Sequence, residues 1–253
     1  MPIIEDLSTI KNKNVIIADV DETICETCQL ISPEMAAKIN SLISQGHIFA
    51  FISGTKREYL KNMISSKLQE KHHLLATTGA HYIEIHGDSE REIYRDMVEE
   101  SERLKIISAL VKLVDEYKII SLTTKEDQIQ DRGTQITLSA IGRNAPLEAK
   151  KAHDPDGAKR TMWVKYLKQY LDENKYEINI AGTTSIDITP KGLDKEHGIR
   201  KFAAHHNLNF DEILFFGDKL DYGGNDFPAT KVVDCVRVSN PIETLAKLNQ
   251  IFD

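Results

Sequence analysis

The chain of 253 residues carries 32 basic and 39 acidic side chains, a formal charge of −7, which argues against nucleic acid as a partner, since that binding depends on clustered Lys and Arg. Hydrophobic residues at 41% and charged residues at 28% are the proportions of a globular chain rather than a disordered one. No apolar run approaches the roughly 20 residues of a membrane span and Met1-Pro2-Ile3-Ile4-Glu5-Asp6 lacks a signal-peptide pattern, so a cytoplasmic protein without a membrane partner is expected.

In chain order, Val15-Ile16-Ile17-Ala18 reads as a strand buried on both faces, ending in Asp19-Val20-Asp21-Glu22-Thr23. Cys25 and Cys28 form a C-x-x-C, but no second such pair completes a zinc site. Ser32-Pro33 opens a helix that Gly46 closes. A second strand, 47–52, ends in Ser53-Gly54-Thr55, a helix from Arg57 to about Lys71 follows, and 74–77 is a third strand. Strand and helix alternating in this way predict a parallel α/β sheet. The rhythm then changes: a strand or hairpin over 81–87, a long helix over 91–117 with Ile93, Met97, Leu104, Ile107, Leu110 and Val111 near helical spacing, and extended stretches over 118–123 and 128–141. A helix begins at Asp154-Pro155 and runs through Trp163, Leu167 and Leu171, and 176–189 is one strand or two. The first rhythm returns with a helix over 195–206, a buried strand over 212–216 ending in Gly217-Asp218, and a last strand over 231–236. The expected architecture is a doubly wound parallel sheet from residues 1–83 and 190–253, with an inserted α+β domain carrying an antiparallel sheet over 84–189.

Asp19 and Asp21 lie two apart on an extended segment and therefore share a side, at the carboxyl end of a strand, where open parallel sheets hold their ligands. Two anions so close are best tolerated around a hard cation such as Mg2+. An acid, a hydroxyl (Ser53, with Thr55 as its rival), a cation (Lys195) and a second acidic loop (Asp218 with Gly223-Gly224-Asn225-Asp226) are the parts that phosphoryl transfer through a carboxylate needs. In that reading Asp19 is the nucleophile, Asp21 the general acid and base, and the ion sits on Asp19, Asp218 and a carbonyl near Asp21, while Ser53 and Lys195 hold phosphate oxygens. Thr23, Gly54 and Thr55 are candidates to line the phosphate site, and Asn225 and Asp226 to complete the metal loop.

These motifs resemble the haloacid dehalogenase superfamily with the inserted cap of its class IIB members. Phe215-Phe216-Gly217-Asp218-Lys219, Asp131-Arg132-Gly133-Thr134, Ile141-Gly142-Arg143-Asn144 and Gly182-x-x-Ser185-Ile186-Asp187 are similar to signatures of the eukaryotic-type phosphomannomutase branch. The resemblance implies substrate binding by Arg132, Arg143, Ser185 and Asp187, and a guanidinium suits a sugar-phosphate dianion. It implies conversion of mannose 6-phosphate to mannose 1-phosphate, glucose phosphates being a second pair, with a hexose 1,6-bisphosphate as activator and a homodimer formed through the cap. Glu22 departs from the pattern, since mutases of this type have Gly there. A sugar-phosphate phosphatase using the same site is the alternative, and a non-catalytic phospho-acceptor module a remote one, against which the inserted domain and Asp21 speak.

Overall fold

The computed structural model describes residues 3–27 and 29–252; Cys28, half of the C-x-x-C, lies outside them. The chain forms two units, one built from the chain up to Arg95 and from Leu193 onward, the other from Asp96–Gly192.

In the first unit β1 (Val15–Ala18), α1 (Pro33–Ser44), β2 (Ile48–Ile52), α2 (Arg57–Ile64), β3 (His72–Ala76), β4 (His81–His86) and β5 (Ser89–Arg95) follow in order. The second unit contains α3 (Glu100–Glu116), α4 (Lys125–Gln128), β6 (Ile129–Asp131), β7 (Ile136–Ser139), α5 (Leu147–His153), α6 (Ala158–Leu167), β8 (Tyr176–Ala181) and β9 (Ser185–Pro190). The chain then re-enters the first unit with α7 (Lys195–His206), β10 (Ile213–Gly217), β11 (Asp234–Arg237) and α8 (Pro241–Phe252), a helix not anticipated from the sequence.

The first sheet has the order β11-β10-β1-β2-β3-β4-β5. Its strands are parallel from β11 to β3, and β4 and β5 are added antiparallel. Along β1 the side chains alternate between two cores: Ile16 and Ala18 join α1, α2 and α8, while Val15 and Ile17 join Ile199, Phe202 and Ala203 of α7. Burial on both faces explains the unbroken apolar runs of the central strands. Each fully buried Ile or Phe there contributes about 1.5–3 kcal/mol relative to exposure. Ser32 caps α1 by accepting from the Met35 N–H, and Gly46 takes a φ of 99° just beyond it, as the sequence leads one to expect.

Several expectations are corrected. The helix from Arg57 stops at Ile64 and passes into a 3-10 turn over Ser65–Lys67. Beyond that turn the Asn40 carboxamide oxygen accepts from the backbone N–H groups of Gln69 and Glu70, so these point away from a helix. Residues 91–95 are strand, not helix, because β5 pairs with β4 and packs Ile93 and Tyr94 on the core. The units accordingly divide at 95/96 and 192/193 instead of 83/84 and 189/190. Finally, 118–123 is irregular, and α6 begins at Ala158 and ends at Leu167.

The second unit's sheet, order β6-β7-β9-β8, is wholly antiparallel. Its inner face, with Ile136, Leu138, Ile186 and Ile188, packs on Ile106, Leu110 and Leu113 of α3 and Trp163 and Leu167 of α6. The stripe expected along α3 is rotated, with Leu104 and Val111 exposed, since α6 and the sheet decide which face is covered. The observed combination, a mostly parallel α/β sheet plus an antiparallel α+β unit inserted between its two halves, is the architecture expected from the sequence.

Candidate active site

The site of the first unit lies where β1, β2 and β10 end. Asp19 follows β1 directly, and its N–H donates to the Phe216 carbonyl at 2.9 Å, so the backbone is still held by the ladder while the carboxylate leaves it. Asp218 follows β10 in the same way. Asp226 is fully buried, and its Oδ2 accepts from the Lys219 N–H at 2.9 Å. The turn between them is tight: Gly217 lies where a Cβ would come within 2.6 Å of Asp226 Oδ2, and Gly224 where one would meet the Lys219 carbonyl oxygen at 2.1 Å. Those clashes explain the glycines of the Gly-Asp-Lys and Gly-Gly-Asn-Asp motifs.

Lys195 is the first residue of α7, whose N-cap Asp194 accepts from the His197 N–H at 3.0 Å. Its ammonium is 1% exposed and reaches Asp19 Oδ1 at 2.5 Å and also Asp226 Oδ1. Burial alone would depress this ammonium, but the two carboxylates together outweigh burial and hold it above the usual lysine value. Burial pushes the Asp19 carboxyl up, to about 7, against the pull of Lys195. Lys219, a member of the Gly-Asp-Lys motif with no role assigned from sequence, donates to Asp218 Oδ2 at 2.7 Å.

One carboxylate oxygen from each of Asp19, Asp218 and Asp226 lies within 4.8 Å of the others. Three carboxylates outnumber the two ammoniums among them, and Asp218 Oδ1 is buried without a hydrogen-bond partner among the described residues. An acceptor left over beside clustered hard oxygens fits a divalent cation such as Mg2+. The Asp21 carboxylate is not a member of this cluster, and Asn225 is exposed.

Asp21 belongs to a small closed loop. The N–H groups of Thr23, Ile24 and Cys25 all donate to the Val20 carbonyl, and Asp21 and Cys25 form an isolated β-bridge. Glu22 has a φ of 61°, a left-handed conformation that costs a side-chain-bearing residue roughly 1–2 kcal/mol. Glu22 Oε1 accepts from the Thr27 N–H and hydroxyl, which hold the Glu22 carboxyl below the usual range. The Thr23 hydroxyl is buried and has no hydrogen-bond partner among the described residues.

After β2, Ser53 is buried and its Oγ accepts from the Thr55 N–H at 3.1 Å, while its carbonyl accepts from the Thr78 N–H. Gly54 is exposed and Thr55 half-buried. Asp19, Asp218, Asp226 and Lys195 thus form one hydrogen-bonded and charged cluster, whereas Ser53, Gly54 and Thr55 form a separate turn at the neighbouring strand end.

In the second unit the outer face of the sheet is polar. Thr137 Oγ1 donates to Asp187 Oδ1 at 2.7 Å, and the Ser139 and Ser185 hydroxyls are 3.2 Å apart. Burial raises the Asp187 carboxyl. Gln130, unremarked in the sequence, accepts at Oε1 from Arg132 Nη2 at 3.3 Å and from Arg143 Nη1 at 3.4 Å. The signal was present: Gln130 and Arg132 are two apart in the stretch expected to be extended, where such residues share a face. Arg132, Arg143, Ser185 and Asp187 are therefore all part of one unit's sheet or the loops beside it.

A sequence model described as eukaryotic phosphomannomutase matches residues 50–253. The phosphomannomutase of Drosophila melanogaster is 24% identical over 253 residues, covering 96% of this chain and 97% of that protein. That of Saccharomyces cerevisiae is 24% identical over 250 residues and covers 96% of each. Among solved structures, the N-terminally truncated, IMP-bound IMP-nucleotidase of Plasmodium falciparum matches with a TM-score of 0.68 at 15% identity, over 97% of this chain and 70% of that one. SMU.1108c from Streptococcus mutans UA159 matches with a TM-score of 0.66 at 14% identity, over 94% and 98%. At these identities the structural likenesses speak for the fold.

Proposed function

The chain belongs to the eukaryotic phosphomannomutase family, and on that premise we propose that it interconverts mannose 6-phosphate and mannose 1-phosphate through an aspartyl phosphate on Asp19. Glucose phosphates are a second substrate pair, and a hexose 1,6-bisphosphate is the activator. The observation that carries this reading is the Asp19–Lys195–Asp226 cluster with Asp218 beside it, at adjacent strand ends.

Asp19 attacks phosphorus, the bond from phosphorus to the sugar oxygen breaks, and Asp21 gives that oxygen its proton; in the return step Asp21 takes the proton of the incoming hydroxyl. Lys195 orients the Asp19 carboxylate and, with Ser53, holds phosphate oxygens, while Thr23, Gly54 and Thr55 line the same phosphate. A divalent cation would be held by Asp19, Asp218 and Asp226, with Asn225 and the backbone carbonyl near Asp21 as further candidate ligands, and would supply charge neutralisation between nucleophile and phosphate dianion. Arg132 and Arg143 grip the phosphate that is not being transferred, and Ser185 and Asp187 bond sugar hydroxyls. We also assign the enzyme to the cytoplasm and expect a homodimer through the second unit.

The same cluster could deliver its phosphoryl group to water, and the nucleotidase likeness, which speaks for the fold, suits a phosphatase as well as a mutase. The two are separated by incubating the Mg2+-loaded enzyme with mannose 1-phosphate and a trace of hexose 1,6-bisphosphate. Mannose 6-phosphate is the expected product. Inorganic phosphate without the isomer would assign the phosphatase, and an Asp19→Asn variant with full turnover would sink both.

A further inference from the structure

We propose that Glu22 is a positioning residue for Asp21, acting through a side-chain clasp on Thr27; this rests on the proton-transfer role proposed for Asp21. Glu22 holds an uncommon left-handed φ of 61°, so its side chain is retained where glycine would be free of strain. That side chain is engaged: Oε1 accepts from Thr27 N at 3.0 Å and from Thr27 Oγ1 at 2.6 Å. Its backbone N–H donates to the Cys25 carbonyl at 2.8 Å. Glu22 therefore ties the outgoing arm of the 20–27 loop to the returning arm twice, by backbone and by carboxylate.

Asp21 is the residue before this double tie and pairs with Cys25 in the same bridge. Ile24 and Cys25 anchor the loop's tip in the core at 1% and 3% exposure, but Glu26 and Thr27 are exposed. Without the clasp the returning arm keeps its ties at Ile24 and Cys25 but loses the one at Thr27, and the loop that carries Asp21 is less constrained. A proton donor must stay within hydrogen-bond reach of the leaving oxygen, so the loss falls on proton transfer and not on Asp19.

Two substrates in the full-length, Mg2+-loaded enzyme distinguish these. The sugar oxygen of mannose 1-phosphate needs a proton as it leaves. The nitrophenolate of p-nitrophenyl phosphate leaves with its bonding pair as the Asp19 oxygen–phosphorus bond forms, and needs none. Glu22→Gly and Thr27→Val are expected to slow mannose 1-phosphate turnover about tenfold while the nitrophenolate burst stays within twofold. Glu22→Gln, whose amide oxygen still accepts, restores most of the sugar-phosphate rate. Equal losses on both substrates, or no loss in Glu22→Gly, would overturn the proposal. A wild-type enzyme inactive on both would overturn the functional reading and this inference with it, a result separate from either variant outcome.

Discussion

Gly79 and Gly198 meet backbone to backbone: a Cβ added to Gly79 would come to 2.3 Å from the Gly198 Cα, and one added to Gly198 to 2.8 Å from the Thr78 carbonyl oxygen. The contact seats α7 against the turn after β3, and Lys195 stands one helical turn before Gly198. Gly198→Ala is expected to push the helix outward and destabilise the protein by about 1–3 kcal/mol. Because Lys195 moves with the helix, turnover should fall further than the folded fraction explains. Urea unfolding and activity on one preparation check this; full activity with unchanged stability would show that the close approach does not place Lys195.

His73 predicts a pH dependence. It is buried in β3, its Nδ1 lies 2.7 Å from the Tyr82 hydroxyl, and that hydroxyl lies 2.7 Å from His206 Nε2. Burial, and then the neighbouring His206, push the His73 imidazole down to about 3. Unfolded, the same ring takes a proton near pH 6.5. Between those values the unfolded chain binds the extra proton, so the contribution is complete above about 6.5 and is lost as pH falls toward 3. By pH 5 the loss amounts to about 2 kcal/mol. His73→Phe should be less stable at pH 7.5 yet lose less on acidification, as read from urea midpoints at pH 7.5 and 5. Parallel slopes would assign the acid sensitivity elsewhere.

Gln130 offers a test in the second unit. Its carbonyl oxygen is the shared acceptor of Arg132 and Arg143, and both bonds are long. Gln130→Leu should loosen both guanidinium groups and raise the KM for sugar phosphate about tenfold, the equivalent of one to two modest hydrogen bonds. The p-nitrophenyl phosphate burst should be unaffected. Steady-state kinetics on the two substrates decide it, and an unchanged KM would mean that the arginines hold their places without Gln130.

Much of the candidate site can be read from the chain alone, because its residues stand where buried apolar runs end. Asp19 after Val15–Ala18 and Asp218 after Ile213–Gly217 are acids that the interior of a strand would not accept, and parallel pairing then brings those ends together. Lys195 is legible because Asp194 is a good N-cap and α7 must begin there. Features that arise from pairing between distant segments are not legible in this way. Residues 91–95 have a helical spacing of apolar side chains, and they are strand only because β4 offers an edge to them. Asp226 is a metal-loop candidate from its motif, but its burial against Lys195 follows only when the glycines at 217 and 224 let that loop fold back. Likewise the cost of a left-handed Glu22 is invisible in composition. Short-range periodicity records which side chains must avoid water; which partner covers them, and what charge then faces what, is decided only when segments far apart in the chain meet.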